Sequence, residues 1–185
     1  MVRPGRRVAL LEAVLEAGGR EVLHARGWRI ALSGGDVPAR PTAAAPPPIP
    51  AEQAPPTFAR DDPDGYMHAI DWRFVDGGFQ VHGPGRAWTR PRIPLLDGEQ
   101  AAPMCRALLV ADSGSGVSMT LDPAQFLSIN VDLTVILSRD PAGEWLLLDS
   151  ATTIGGQGTG LAQTILSDTG GPCGQGLQTL LVERH

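Results

Sequence analysis

The run Glu99-Gln-Ala-Ala-Pro-Met-Cys-Arg-Ala-Leu-Leu-Val-Ala-Asp-Ser-Gly-Ser-Gly116 carries a helical signal in a chain otherwise dominated by strand-like stretches. Cys105, Leu108, Leu109 and Asp112 fall at i, i+3, i+4 and i+7, on one helical face. The spacing predicts a helix over 99–111, capped by Asp97, with an apolar stripe that ends at Asp112. Working outward, Met67 to Asp76 and Arg86 to Ile93 read as strands ahead of the helix. Behind it come Phe126 to Ser138, Glu144 to Ile154, Thr159 to Ser167 and Gln175 to Arg184. Gly and Pro separate these runs at Arg139 to Gly143, Gly155 to Gly158 and Thr169 to Pro172. Strands, one long helix and then a meander of strands predict an α+β domain, with an antiparallel sheet wrapped around a central helix. Residues 65–185 are of ordinary domain size for such a unit.

Ahead of that domain lies a stretch unable to form regular structure. Between Ser33 and Gly65 stand nine of the 17 prolines, which remove backbone donors and predict an extended linker over 33–64. Residues 1–32 read as a β-hairpin, Arg7 to Glu16 and Glu21 to Leu32, turning at Ala17-Gly-Gly-Arg20. A lone hairpin is marginal in water, so it is expected to dock on something. Val8 to Gly19 also echoes Thr159 to Gly171: Leu10 matches Leu161, Glu12 matches Gln163, Val14 matches Ile165 and Leu15 matches Leu166. One inserted residue in the later copy aligns the paired glycines, and Gln178 then falls opposite Arg26 or Ala25. This echo makes the hairpin the end of an earlier copy of the same domain.

Composition removes several classes of function. A net charge of -5 gives no basic footprint for nucleic acid. No apolar run reaches the length of a membrane span, and the N-terminus lacks the apolar core of a secretory signal, so a cytoplasmic location is expected. Cys105 and Cys173 make neither a disulfide framework nor a metal-ligand spacing. His24, His68, His82 and His185 are scattered. Gly155-Gly-Gln-Gly-Thr-Gly160 sits between two strands and opens no helix, which makes it a bulged turn rather than a dinucleotide loop. There is no Gly-x-Ser-x-Gly elbow. Trp28, Trp72, Trp88 and Trp145 are expected to serve core or interface packing.

The run from Phe126 to Leu148, the turn Ala111-Asp-Ser-Gly-Ser-Gly116 and the closing Gly176 to Arg184 resemble type II-like acyl-CoA thioesterases with a double hotdog. The opening Val2-Arg-Pro-Gly-Arg-Arg-Val8 resembles the late part of that family's first hotdog. The resemblance implies two fused hotdogs, the first of them here lacking its early strands and helix, the second complete over 65–185. It implies hydrolysis of a fatty acyl-CoA to free acid and CoA by an activated water, with no metal or redox cofactor. By position it places the water-holding residues at Asp112, Asn130 and Gln178, with Ser113, Gly114 and Ser128 on the substrate side. The acyl chain is then expected in a tunnel beside the helix, with surface arginines on the CoA.

Each of these residues has a plainer reading beside the catalytic one. Asp112 ends the expected stripe, which would desolvate its carboxylate towards a base. Equally, it is a helix-end aspartate bonded to the Ser113 to Gly116 turn. Gln178 shares a strand face with Leu180 and Val182, so it is expected to be buried and hydrogen-bonded in either role. Asn130 shares a polar row with Ser128, Asp132 and Thr134; many relatives carry a hydroxyl there, and Ser128 could substitute for it. The alternative function is a non-catalytic hotdog that binds acyl-CoA or serves assembly. A dehydratase or hydratase ranks third, because it would want a histidine paired with a carboxylate. Open sheet edges and an apolar helix flank predict a homo-oligomer.

Overall fold

A computed structural model describes residues 1–33, 37–40, 44–55 and 65–185. Two compact units divide the chain, Met1–Arg40 and Pro41–His185. The first is a two-stranded hairpin of β1 (Val8–Ala17) and β2 (Arg20–Ile30). Gly18 and Gly19 turn it with φ of 58° and 74°, values that glycine adopts without cost.

The second unit holds a seven-stranded antiparallel sheet. Its members are β3 (Ile70–Asp76), β4 (Gly85–Pro91), β5 (Phe126–Asn130), β6 (Thr134–Leu137), β7 (Leu146–Gly155), β8 (Thr159–Asp168) and β9 (Gly171–Arg184). The strand order is β3-β4-β7-β8-β9-β5, and β6 also pairs with β9. Two helices lie on one face, α1 (Pro103–Ala111) and the single turn α2 (Gly114–Val117). Ala107, Val110, Ala111 and Val117 bury against Trp72, Ala87, Leu146, Leu148 and Leu166. This is the expected sheet around a central helix. No described helix is long and apolar enough to cross a membrane.

Several local expectations are corrected. The helix starts at Pro103 rather than Glu99, and its N-cap is Ala102 (φ −57°, ψ 150°), not Asp97. Proline presets the first helical residue and pushes the one before it into extended backbone. The buried stripe is Ala107, Val110, Ala111 and Gly114, while Cys105 and Leu109 are half-buried and Leu108 is 43% exposed. Asp112 therefore lies beside the stripe and is exposed, so the stripe does not cover it. The single run expected over 126–138 is two strands. Residues 131–133 bulge, with Val131 N–H donating to Thr179 O and Thr179 N–H to Asp132 Oδ1.

Part of the expected linker is seated on the sheet. Trp88, 1% exposed, donates its indole N–H to Pro47 O at 3.2 Å, and Arg73 donates to Pro50 O at 3.0 Å. Gln53 bonds both backbone groups of Phe74: Nε2 donates to its O at 2.9 Å and Oε1 accepts from its N–H at 2.8 Å. A side-chain amide thus does for the free edge of β3 what a neighbouring strand would do. Residues 34–36, 41–43 and 56–64 of the expected linker lie outside the described residues.

The echo holds in the pairing register, but without the inserted residue. Val8 opposite Ile30 corresponds to Thr159 opposite Leu181, and Leu11 opposite Gly27 to Ala162 opposite Gln178. Both hairpins also carry a bulge at the same place, between Leu15 and Glu16 and between Leu166 and Ser167. The counterpart of Gln178 is therefore Gly27, not Arg26 or Ala25.

Candidate active site

Three elements bring Asp112, Asn130 and Gln178 together. Asp112 is the C-cap of α1, where the helix ends and its side chain is free of the stripe. Asn130 is the last residue of β5, opposite Leu180. Gln178 sits two residues earlier on β9 with its side chain on the face that carries Leu180, so the two amides meet across neighbouring strands. Asn130 Nδ2 donates to Asp112 Oδ1 at 2.6 Å, and Gln178 Nε2 donates to the same oxygen at 3.2 Å. Gln178 Nε2 also donates to Asp112 O at 2.8 Å.

Gln178 is 1% exposed, and both ends of its amide are engaged. Its Oε1 accepts from the Ser115 backbone N–H at 2.9 Å, which fixes the amide orientation and leaves Nε2 for Asp112. Pattern reading missed the Ser115 N–H, since a backbone donor leaves no residue-type signal. With Oδ1 holding two amides, Oδ2 of an exposed carboxylate is left open to a small polar molecule.

The three residues expected on the substrate side take different places around these bonds. Ser113 Oγ is 2.9 Å from Tyr66 Oη, which also donates to Leu109 O at 3.0 Å. Burial of the Tyr66 hydroxyl end, helped by the charge of Asp112, raises the phenol above its usual value against the opposing Ser113 bond. It stays a neutral donor. Tyr66 is a neighbour of the site that pattern reading missed. Gly114 is buried, not open to a ligand: a Cβ there would lie 2.2 Å from Thr164 Oγ1 and 3.2 Å from Gln178 Oε1. Ser128 is exposed on β5 opposite Val182 and takes no part in the bonds that join the three. A cavity of about 920 Å³ flanks α1, lined by Ile93, Leu95, Cys105, Arg106 and Leu109, and its Leu109 end stops one helical turn before Asp112.

A model of the acyl-CoA thioesterase C-terminal domain matches residues 42–182. No curated protein matches the chain. Among solved structures, the acyl-CoA thioesterase II TesB2 of Mycobacterium marinum is 19% identical, with a TM-score of 0.67 over all of this chain and 71% of that one. A hot dog fold protein of Alicyclobacillus acidocaldarius is 17% identical, with a TM-score of 0.69 over 98% and 70%. A Novosphingobium aromaticivorans chain is 25% identical, with a TM-score of 0.68 over 97% and 69%. The fold is therefore that of hotdog thioesterases, and the family model covers most of the second unit. The chain belongs to the acyl-CoA thioesterase C-terminal domain family.

Proposed function

We propose that this protein hydrolyses acyl-CoA thioesters with a water activated by Asp112, whose carboxylate Asn130 and Gln178 hold in place. The observation that carries the reading is the convergence of two side-chain amides from separate strands on one carboxylate oxygen of Asp112. Asn130 and Gln178 fix the Asp112 carboxylate, and its open Oδ2 takes a proton from the attacking water. The water oxygen bonds to the thioester carbon, and the tetrahedral intermediate then expels the CoA thiolate. The proton on Asp112 passes to that sulfur, releasing free acid and CoA. No oxidation state changes, so the proposal calls on no redox group. The apolar flank of α1, along Cys105 and Leu109, is the proposed berth of the acyl chain. The family match and the fold neighbours support the substrate class.

The test is release of free thiol from a panel of acyl-CoA thioesters of different chain length. Asp112→Ala should lower kcat by about 10²–10⁴-fold, the usual contribution of a positioned base. The fold should survive with a modestly lower melting temperature, since Asp112 is exposed and Gln178 Nε2 keeps its bond to the Asp112 backbone O. Folded wild type with no turnover on any chain length would instead favour a binding or assembly module.

A further inference from the structure

Four positions in register across the sheet carry small residues. Gly85 on β4 pairs with Ser150 on β7, Ser150 with Thr164 on β8, and Thr164 with Gly176 on β9. The chain from Ala111 to Val117 lies directly on this row. A Cβ on Gly85 would stand 2.3 Å from Val117 O, whereas one on Gly176 would meet the Ala111 Cβ at 3.9 Å, an ordinary contact. From the helix side, a Cβ on Gly114 would stand 2.2 Å from Thr164 Oγ1. Neither backbone could come so close with an ordinary side chain in between.

The buried polar atoms of this row are paired. Ser150 Oγ and Thr164 Oγ1 are 2.9 Å apart, and both residues are buried. At the far end of α2, Ser118 Oγ donates to Gly114 O at 2.9 Å and lies 2.7 Å from Thr152 Oγ1 on β7. The short helix is thus tied at one end by Thr152 and set on Thr164 at the other.

We infer that Gly85 and the Ser150–Thr164 pair, with Gly114 facing Thr164, set the depth at which 111–117 sits and so position the site. The depth decides whether the Ser115 N–H reaches Gln178 Oε1 and whether Gln178 Nε2 reaches Asp112. Thr164 and Gly114 are therefore positioning residues: they act through Ser115 and Gln178 and touch no reacting atom. This rests on the proposed thioesterase site for its consequence, but not for its geometry. A lift of 1 Å would part both bonds of the Gln178 amide, and displacements of that size cost about 10²-fold in rate.

The experiment uses the full chain with Gly114→Ala, Thr164→Val and Thr164→Ser. It follows amide hydrogen exchange at Ser115, the side-chain amide resonance of Gln178, and acyl-CoA turnover. Gly114→Ala and Thr164→Val should speed Ser115 exchange by about tenfold or more while strand amides stay protected. They should shift the Gln178 resonance and lower kcat by about 10²-fold with KM changed much less. Thr164→Ser, which keeps the hydroxyl, should recover most of both. If Gly114→Ala does not fold, Thr164→Val against Thr164→Ser decides. Unchanged Ser115 protection and Gln178 resonance in folded Thr164→Val would overturn the inference. So would equal damage by Thr164→Ser. A wild type without turnover would sink the proposed function alone, since exchange and resonance still judge the seat.

Discussion

Gln178 shows how much a single side chain can organise. It is buried, its oxygen is held by Ser115 N–H, and its nitrogen reaches two oxygens of Asp112. Gln178→Glu would place a carboxylate oxygen where Nε2 now donates, against Asp112 Oδ1 and O. That loses a buried donor and sets two carboxylates side by side, at a cost of about 2–3 kcal/mol near neutral pH. The introduced carboxyl would have its folded pKa raised, so the penalty exists above that pKa and shrinks as pH falls through it. Melting temperatures of the variant between pH 8 and pH 4.5 should therefore converge on wild type; a deficit that ignores pH would refute this account. Buried polarity at Gln178 was legible in the sequence from its apolar strand neighbours. Its partner Ser115 was not, because only the rotation of the helix end brings that backbone group within reach.

Among the elements, two clamps hold the sheet where sequence suggested only turns and linker. Asp168, at the end of β8, is fully buried and accepts from Arg139 Nη2 at 2.7 Å, Ala142 N–H at 2.6 Å and Gly170 N–H at 2.8 Å. The Arg139 guanidinium, with those N–H groups opposing burial, holds its carboxyl down at about 2. Its folded pKa lies below the unfolded value, so its stabilisation is present above about pH 4 and fades as pH drops towards 2. The contribution is about 2 kcal/mol. Asp168→Asn should lower the melting temperature at pH 7 and flatten the acid limb of a stability-against-pH curve. A variant retaining the wild-type acid limb would argue against the clamp. The second clamp is Gln53 on β3, beside the Pro47 bond to Trp88. Gln53→Ala loses two exposed hydrogen bonds and should cost about 1 kcal/mol. Loosening this strap should also red-shift tryptophan emission, and unchanged emission and stability would show that the strap is held by other contacts. Proline density argued against a strand, and residues 44–55 form none, but it could not reveal that carbonyls freed from pairing would serve Trp88 and Arg73.

At the scale of the whole molecule, the hairpin and the larger unit differ in how they satisfy their apolar residues. Val14, Leu15, Val22, Leu23, Trp28 and Ile30 of the hairpin are each 48% exposed or more. The larger unit closes its own core around α1 and α2. A fragment over 41–185 is therefore expected to melt cooperatively near the full chain's temperature, while 1–40 alone should show no cooperative transition. Light scattering should find the full chain more associated than the fragment, since such exposed patches favour assembly. Equal masses per chain count would remove the hairpin from the assembly. Periodicity and punctuation determined that there would be a hairpin, a central helix and a meander of strands, because alternation and turn chemistry are local properties of the chain. The family resemblance brought Asp112, Asn130 and Gln178 into consideration by position, and periodicity added only the expected burial of Gln178. Only the tertiary structure decided which helix face is buried, that Asp112 stands in the open beside it, and that Ser115 and Thr164 support Gln178. Those outcomes depend on about a half-turn of helix rotation and about 1 Å of seating depth. Both are set by packing between residues far apart in sequence, which no local pattern encodes.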